Sequence, residues 1–170
     1  VVSVQQTATG VSATTTTGEV VNATRAVVTV PLNVLNSVAF DPPLSSVKQE
    51  ASALKHVGGG YKVFIEVDGD PGAVMTLSRS TDSPLIGSFT YKRGQKHSVL
   101  AGFSLEPGAL EKPLSEWQTV LEEFLPGVRL LSTFGHDWGV DALSQGSWCT
   151  YRPGTFGRFV DGLPRHDDHC

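Results

Sequence analysis

Residues 136–154 read HDWGVDALSQGSWCTYRPG and hold two of the chain's three tryptophans, Trp138 and Trp148. Tryptophan is large and mostly buried, so two of them beside small residues suggest flat apolar walls with space between them. Gly146 comes two residues before Trp148, and a glycine lets the backbone approach a planar group closely. The simpler interpretation, from spacing alone, is an ordinary core strand that ends at a Pro-Gly turn.

The same segment resembles the flavin-facing segment of the FAD-dependent amine oxidases, the family of monoamine, polyamine and L-amino-acid oxidases. That family carries an Asn/Asp-Trp pair, an acidic residue, a small-Gly-x-aromatic step and then Pro-Gly. The nearest likeness is to the bacterial and fungal monoamine oxidases, so we expect a piece of such an enzyme. The matching residues, in order, are Asp137, Trp138, Asp141, Gly146, Ser147, Trp148, Arg152, Pro153 and Gly154.

Composition argues against several other classes. With 13 basic and 17 acidic residues among 170, the chain is mildly acidic and has no basic run for nucleic acid or an anionic membrane surface. No apolar stretch approaches the roughly 20 residues of a membrane span. The only cysteines, Cys149 and Cys170, make no disulfide framework and favour a reducing compartment, so we expect a cytoplasmic or other intracellular location.

Alternating patterns predict β structure through much of the chain. Residues 1–31 read as three short strands joined by tight turns, a meander whose third strand would run over residues 20–30. In YKVFIEV, residues 61–67, the alternation places Val63 on one face of a strand and Lys62 on the other. Further strands are expected near residues 73–78, 87–91, 98–105 and 128–134.

Two main helices are expected, over residues 46–55 and 115–125, each opening with a serine followed three residues later by a glutamine, the spacing of a capping box. In the second helix, apolar residues recur at one face from Trp117 onward, so Trp117 is expected in the core. A shorter helix is expected over residues 155–163. The predicted fold class is α+β: a mixed, mainly antiparallel sheet with helices on one face, flanked by parts of an FAD-binding domain.

The resemblance divides the chain into three segments. Residues 1–36 correspond to the β-meander of the FAD-binding domain, in which Val1 falls where a valine lies against the adenosine end of the cofactor. Residues 37–135 correspond to the substrate-binding domain, which is entered through FDPPL, residues 40–44. Residues 136–170 correspond to the return segment to the FAD-binding domain.

Lys62 is the first candidate for a catalytic role. From spacing alone, a lysine in an apolar strand is more often on the exposed face, with its stem laid on apolar surface. The resemblance implies instead that Lys62 contacts the cofactor through a water held against N5 of the isoalloxazine ring. An ammonium there would stabilise negative charge on the reduced ring and assist its reaction with oxygen.

Three residues of the opening segment are further candidates by resemblance. Trp148 corresponds to one wall of the aromatic cage that guides the substrate amine toward the flavin, and it is therefore assigned both a catalytic and a cofactor-binding role. Trp138 would pack near the flavin ring. Ser147 stands where mitochondrial-type enzymes carry the cysteine that binds the flavin covalently, and a serine cannot form that thioether. The resemblance therefore implies non-covalently bound FAD.

No metal site is expected. Asp68 and Asp70 lie in a Gly-Asp-Pro-Gly turn of ordinary chemistry, and HDDHC, residues 166–170, is more simply a solvated loop than a ligand set. The sequence also has no G-x-G-x-x-G motif to hold the FAD pyrophosphate. FAD binding is therefore expected to need segments outside this sequence.

The function implied by the resemblance is oxidative deamination of an amine to an imine, which water converts to an aldehyde and ammonia, while oxygen reoxidises the flavin and forms hydrogen peroxide. The expected partners are a small-molecule amine, oxygen and the remainder of the FAD domain, and a homodimer is left open. Two alternatives also remain open: an L-amino-acid oxidase of the same superfamily, and a non-catalytic β-rich binding or scaffold domain.

Overall fold

The computed structural model describes residues 1–80 and 82–165, which form two compact units. Unit 1 comprises residues 1–58 and the described residues from 140 onward, and unit 2 comprises residues 59–139. These units are defined by packing, so the predicted functional boundaries after residues 36 and 135 stay a prediction.

Nine strands and three α-helices occur in the described residues. The strands are β1 (Ser3–Thr7), β2 (Gly10–Thr14), β3 (Val20–Ala23), β4 (Ala39–Asp41), β5 (Tyr61–Asp68), β6 (Met75–Leu77), β7 (Gly87–Lys92), β8 (His97–Ser104) and β9 (Leu130–Gly135). The helices are α1 (Ser46–Leu54), α2 (Leu114–Phe124) and α3 (Phe156–Phe159), with short 3₁₀ helices at Leu32–Ser37 and Ala109–Glu111.

Unit 1 contains a four-stranded sheet in the order β3-β2-β1-β4. The first three strands form the predicted antiparallel meander, and β4 pairs parallel to β1. β3 ends at Ala23 rather than at residue 30, because β2 begins at Gly10 and offers no backbone partner beyond that point. Val4, Val11 and Val38 form the small buried core of this sheet.

Unit 2 is built on a five-stranded antiparallel sheet in the order β6-β7-β8-β5-β9. The side chains of Val63, Ile65 and Val67 alternate to one face of β5, where they are buried against α2 and the second 3₁₀ helix. Trp117 of α2 is buried in this core, and its Nε1 donates a hydrogen bond to the Ala109 carbonyl at 3.1 Å. The predicted α+β class, the main antiparallel sheet and the core position of Trp117 are confirmed.

The predicted capping boxes do not form. Neither α1 nor α2 has a side-chain hydrogen bond at its N-cap, and the helices begin after Ser45 and Pro113. Gln118 instead bonds the backbone beyond the helix: its Nε2 donates to the Val128 carbonyl and its Oε1 accepts from the Leu130 amide. The glutamine side chain therefore holds the start of β9 against α2. Its hydrogen-bonding groups are used there and do not cap the helix.

The tryptophan-bearing segment at residues 136–154 is not a core strand. After β9 ends at Gly135, residues 136–155 form turns and irregular backbone, so the simpler interpretation of that segment is wrong. The helix predicted over 155–163 is confined to the single turn of α3. Among the residues that the structure describes, no helix is both long and apolar enough to cross a bilayer.

Truncating the core leucine of α2 tests this packing. Leu121 is fully buried, whereas Leu114, at the start of the same helix, is 46% exposed. Leu121→Ala removes buried methyl groups and leaves a cavity, so it should lower the free energy of unfolding by about 2–5 kcal/mol. Leu114→Ala should lower it by less than about 1 kcal/mol. Urea unfolding measures both, and equal losses would contradict the described core.

Candidate functional site

One face of the unit 2 sheet carries side chains that the core does not use. Lys62 and Phe64 of β5 point away from Val63 and Ile65, because alternate residues of a strand point to opposite faces. The strand register brings aromatic residues of β7, β8 and β9 to the same face. We call this surface the aromatic face; its residues are Lys62, Phe64, Phe89, Tyr91, Phe103 and Phe134.

The rings of the aromatic face contact one another. Phe64 stacks on Phe134 with ring centroids 5.0 Å apart and meets the edge of Tyr91 at 5.5 Å. The Nζ of Lys62 lies 5.7 Å from the centroid of Phe103, the residue opposite it on β8. Such ring pairs and a cation above a ring are attractive. The result is an ordered, partly exposed apolar surface with one ammonium group at its edge.

The same face becomes polar further along β5. The carboxylate of Glu66 accepts a hydrogen bond from the Ser132 hydroxyl at 2.7 Å, and His97 Nδ1 lies 3.4 Å from its other oxygen. The side chain of Glu66 is therefore held by neighbouring strands. The apolar surface suited to an organic ligand is thus confined to the Lys62 end.

Trp138 also belongs to unit 2. Its ring is 47% exposed and meets the ring of His136 edge to face, with centroids 4.4 Å apart. The turn around it is fixed by Asp137, whose carboxylate accepts a hydrogen bond from the Gly139 amide at 2.8 Å. Trp138 therefore presents an ordered but partly uncovered ring.

Unit 1 holds Ser147 and Trp148, in a segment that runs beside the exit of α1. The Ser147 amide donates to the Gly58 carbonyl at 3.1 Å, and the Val57 amide donates to the Thr150 carbonyl at 2.9 Å. A Cβ added to Gly58 would overlap the carbonyl oxygen of Trp148, so only glycine permits this close approach. We call residues 145–150 the Trp148 segment; the tryptophan itself is 38% exposed.

Two further residues of unit 1, His56 and Val1, differ in how far they are covered. His56 packs beneath the Trp148 segment: its Nδ1 is buried without a hydrogen-bond partner, and burial lowers the pKa of the imidazole. Val1, the candidate for the adenosine end of the cofactor, is exposed at the start of the meander. Val1 thus offers an uncovered apolar side chain.

The acidic turn of unit 2 is engaged in ion pairs. Asp68 pairs with Arg129 at 2.9 Å and Asp70 with Arg93 at 2.7 Å. The hydrogen bonds from Arg93 hold the pKa of Asp70 below its usual range.

Within the described ranges no group of three or more potential metal-ligating side chains occurs. The HDDHC stretch at 166–170 lies outside the described residues.

These features can be compared with those of known proteins. The family model described as flavin containing amine oxidoreductase matches residues 1–168. The chain belongs to this family. It is 35% identical to pseudooxynicotine dehydrogenase from Pseudomonas sp over 156 aligned residues. The alignment covers 90% of this chain and 31% of that protein. It is 28% identical to nicotine dehydrogenase from Pseudomonas putida over 166 aligned residues. That alignment covers 95% of this chain and 34% of that protein.

The fold comparison agrees with this assignment. Cyclohexylamine oxidase from Brevibacterium oxydans IH-35A superposes with a TM-score of 0.75 at 16% identity, over 98% of this chain and 40% of that chain. At that level of identity the likeness shows the fold alone. The chain spans about a third of the length of the curated relatives it matches.

Membership of a flavin-containing family implies FAD as the cofactor. Taken one unit at a time, the side chains present are of a kind that suits a flat ring system: Val1 and Trp148 of unit 1 are partly uncovered and apolar, and so is Trp138 of unit 2. The described residues contain no glycine-rich strand-turn-helix unit for the pyrophosphate.

The structure distributes the predicted site residues over the two units. Val1, Ser147 and Trp148 are in unit 1, and Lys62 and Trp138 are in unit 2. Sequence reasoning missed the aromatic face, because its rings come from four strands whose register a single sequence does not reveal. The available signal was Phe64, a large ring on the side of β5 that faces away from the core.

Gly58 and Gly59 provide a matched test of the Trp148 segment. Gly58→Ala should push this segment away and lower the free energy of unfolding by about 1–3 kcal/mol, as overpacking commonly does. Gly59→Ala meets no atom within 4 Å and should leave stability nearly unchanged. Urea unfolding of the two variants measures the difference, and equal midpoints would refute the close contact at Gly58.

Proposed function

We propose that this chain supplies part of an FAD-dependent amine oxidase that converts an amine to an imine. The single observation that carries the proposal is the aromatic face, an ordered apolar surface with Lys62 at its edge in a member of the flavin-containing amine oxidoreductase family. Bound FAD would supply the two-electron chemistry: a hydride equivalent would leave the carbon beside the amine nitrogen, and oxygen would take up the two electrons as hydrogen peroxide. Hydrolysis of the imine would release the aldehyde and ammonia.

Lys62 is proposed to act in the reaction with oxygen. Its exposed ammonium has three N–H donors, and its position above the Phe103 ring restricts where they point. Such a group can hold a water molecule by donating to its oxygen and can stabilise negative charge that develops nearby. This role needs a positive charge at a fixed place and does not require Lys62 to touch the substrate.

Trp148 is proposed to guide the substrate amine. The Gly58 contact fixes the backbone on which its ring is carried, and part of the ring remains exposed. An aromatic face attracts an alkylammonium group and excludes water from one side of it. Ser147 carries no thiol, so we propose that FAD is bound without a covalent link through this position.

The proposed substrate is an amine with a bulky apolar or aromatic body. Stacked rings such as Phe64 and Phe134 offer that body a flat surface of matching polarity. The names of the relatives, pseudooxynicotine dehydrogenase and nicotine dehydrogenase, support a ring-bearing amine. Arg93 and Arg129 are already paired with aspartates, so neither of these two supports the alternative of an L-amino acid, whose carboxylate needs an arginine partner.

Replacing the lysine tests its proposed role. In the full-length FAD-loaded protein, Lys62→Met should slow reoxidation of the reduced flavin by oxygen by about 10²-fold or more, because a preorganised charge contributes on that scale. Flavin content and the anaerobic rate of reduction by the amine should stay near those of the wild type. Stopped-flow absorbance separates the two half-reactions.

Lys96→Met is the matched control, since Lys96 is exposed in the loop between β7 and β8. It should leave both half-reactions unchanged. If Lys62→Met reoxidises as fast as this control, Lys62 has no part in the oxygen reaction.

Replacing the tryptophan tests the other half-reaction. Trp148→Leu removes a cation–π contact of about 0.5–2 kcal/mol, so the efficiency of flavin reduction by the amine should fall about 2- to 30-fold. Trp148→Phe keeps an aromatic face and should recover most of the lost efficiency. Reoxidation by oxygen should be unaffected in both variants. A leucine variant that is reduced as efficiently as the phenylalanine variant would rule out the aromatic role.

A further inference from the structure

One buried side chain joins the two backbone segments that meet at Gly58. The carboxamide Nδ2 of Asn33 donates to the Gln145 carbonyl at 2.6 Å and to the His56 carbonyl at 3.3 Å. Its Oδ1 accepts a hydrogen bond from the His56 amide at 2.8 Å. A single amide group thus bridges the exit of α1 and the start of the Trp148 segment.

The setting of Asn33 makes these hydrogen bonds hard to replace. The residue is 6% exposed, so water has little access to the carbonyl and amide groups that it satisfies. A buried backbone group that loses its partner costs more than the bond itself contributed. The Asn33 bridge is therefore a fixed link rather than an exchangeable surface contact.

Asn33 is itself held in place by α1. It lies in the 3₁₀ helix Leu32–Ser37, and the Ser52 hydroxyl of α1 donates to the Leu32 carbonyl at 2.8 Å. The same Ser52 oxygen accepts a hydrogen bond from the Asn36 amide at 3.1 Å. Because Ser52 is buried, this pair of bonds fixes the helix that carries Asn33.

The far side of the bridge carries local strain. Gln145 has a φ of 51°, in the left-handed region that favours glycine, and its side chain accepts a hydrogen bond from Lys55 at 2.7 Å. At Gly146 an added Cβ would approach the Asn33 amide nitrogen within 2.8 Å and would also clash with the His56 ring. A strained residue persists only where its surroundings hold it, and Asn33 supplies that hold.

We propose that Asn33 is a positioning residue that sets the location of the Trp148 ring through the backbone of Gln145 and Gly146. The proposal rests on the proposed function for its effect on amine oxidation, but not for its effect on the Trp148 segment. Asn33 does not touch the ring; it acts by fixing the backbone three residues before Trp148.

The test is Asn33→Asp in the full-length FAD-loaded protein. The change keeps the size of the side chain but replaces the NH₂ donor with a carboxylate oxygen, which repels the Gln145 and His56 carbonyls. Amide hydrogen exchange in peptides covering residues 145–150 should accelerate about tenfold, as expected for a lost hydrogen bond. Exchange in the β5–β8 sheet should not change.

The kinetic readout separates positioning from a general loss of structure. The rate of anaerobic flavin reduction is measured at limiting and at saturating amine. The efficiency of reduction at limiting amine should be about tenfold lower in Asn33→Asp than in the wild type, because small displacements of a guiding group are costly. Reoxidation by oxygen, measured per bound flavin, should stay at the wild-type rate. A merely structural role would lower flavin content without changing the ratio of the two half-reactions.

Asn36→Asp is the matched control, since Asn36 lies in the same 3₁₀ helix and its side chain makes an exposed hydrogen bond to the Gln49 carbonyl. The change leaves the backbone amide that bonds Ser52 in place. It should change neither exchange at residues 145–150 nor the ratio of the half-reactions. Unchanged exchange in Asn33→Asp, or equal effects in both variants, would overturn the proposal. If no amine reduces the wild-type flavin, the proposed function fails while the exchange result still decides the role of Asn33.

Asn33→Ser serves if the aspartate variant does not fold. The smaller hydroxyl leaves room for water to satisfy the His56 and Gln145 groups, so the chain should fold while the direct bridge is lost. Faster exchange at residues 145–150 is again the supporting result. Wild-type exchange in this variant would show that the Trp148 segment does not depend on Asn33.

Discussion

The alternation of side chains along β5 is the constraint on which unit 2 depends. Val63, Ile65 and Val67 are buried against α2, so Lys62 and Phe64 must project from the other side of the same strand. A shift of one residue in register would exchange the two sets and bury an ammonium group in the core, at high cost. The burial of these three apolar side chains thus fixes the side of the strand from which Lys62 projects.

In unit 1 the comparable constraint is close backbone approach rather than side-chain burial. Gly58 admits the carbonyl of Trp148, Gly146 admits the ring of His56, and Asn33 satisfies the polar groups brought together. The buried cluster of the unit 1 sheet is small, with Val4 and Val11 in the meander and Val38 just before β4. At the Trp148 segment, the local geometry is therefore set by hydrogen bonds and by glycines that leave room for neighbouring groups.

The features that local patterns control were predictable from the sequence. The strand at residues 61–67, the helix at residues 115–125 and the burial of Trp117 follow from periods of two and 3.6 residues, and the structure has all three. Features that depend on long-range partners were not predictable. Gln118 has capping-box spacing but bonds Val128 and Leu130, because those backbone groups are brought to it by tertiary packing.

The candidate site shows the same division. Resemblance supplied Lys62, Trp138, Ser147 and Trp148 as candidates, and their proposed roles await experiment. The aromatic face required the register of four strands, since Phe64 meets Phe134 only when β5 and β9 are paired. The role of Asn33 could not be predicted from the sequence, because its partner Gln145 is 112 positions away. A short polar residue in a 3₁₀ turn has no pattern that reveals such a contact.

The two proposed half-reactions make different physical demands. The proposed reaction with oxygen needs a positive charge held in place, and within unit 2 the β5 pairing and the Phe103 ring hold Lys62. The proposed oxidation of the amine needs a flat ring at a set position, and within unit 1 the Gly58 and Asn33 contacts hold the backbone that carries Trp148. Under the proposed function, a change in the Trp148 support is therefore expected to alter the reaction with the amine, and a change at Lys62 the reaction with oxygen.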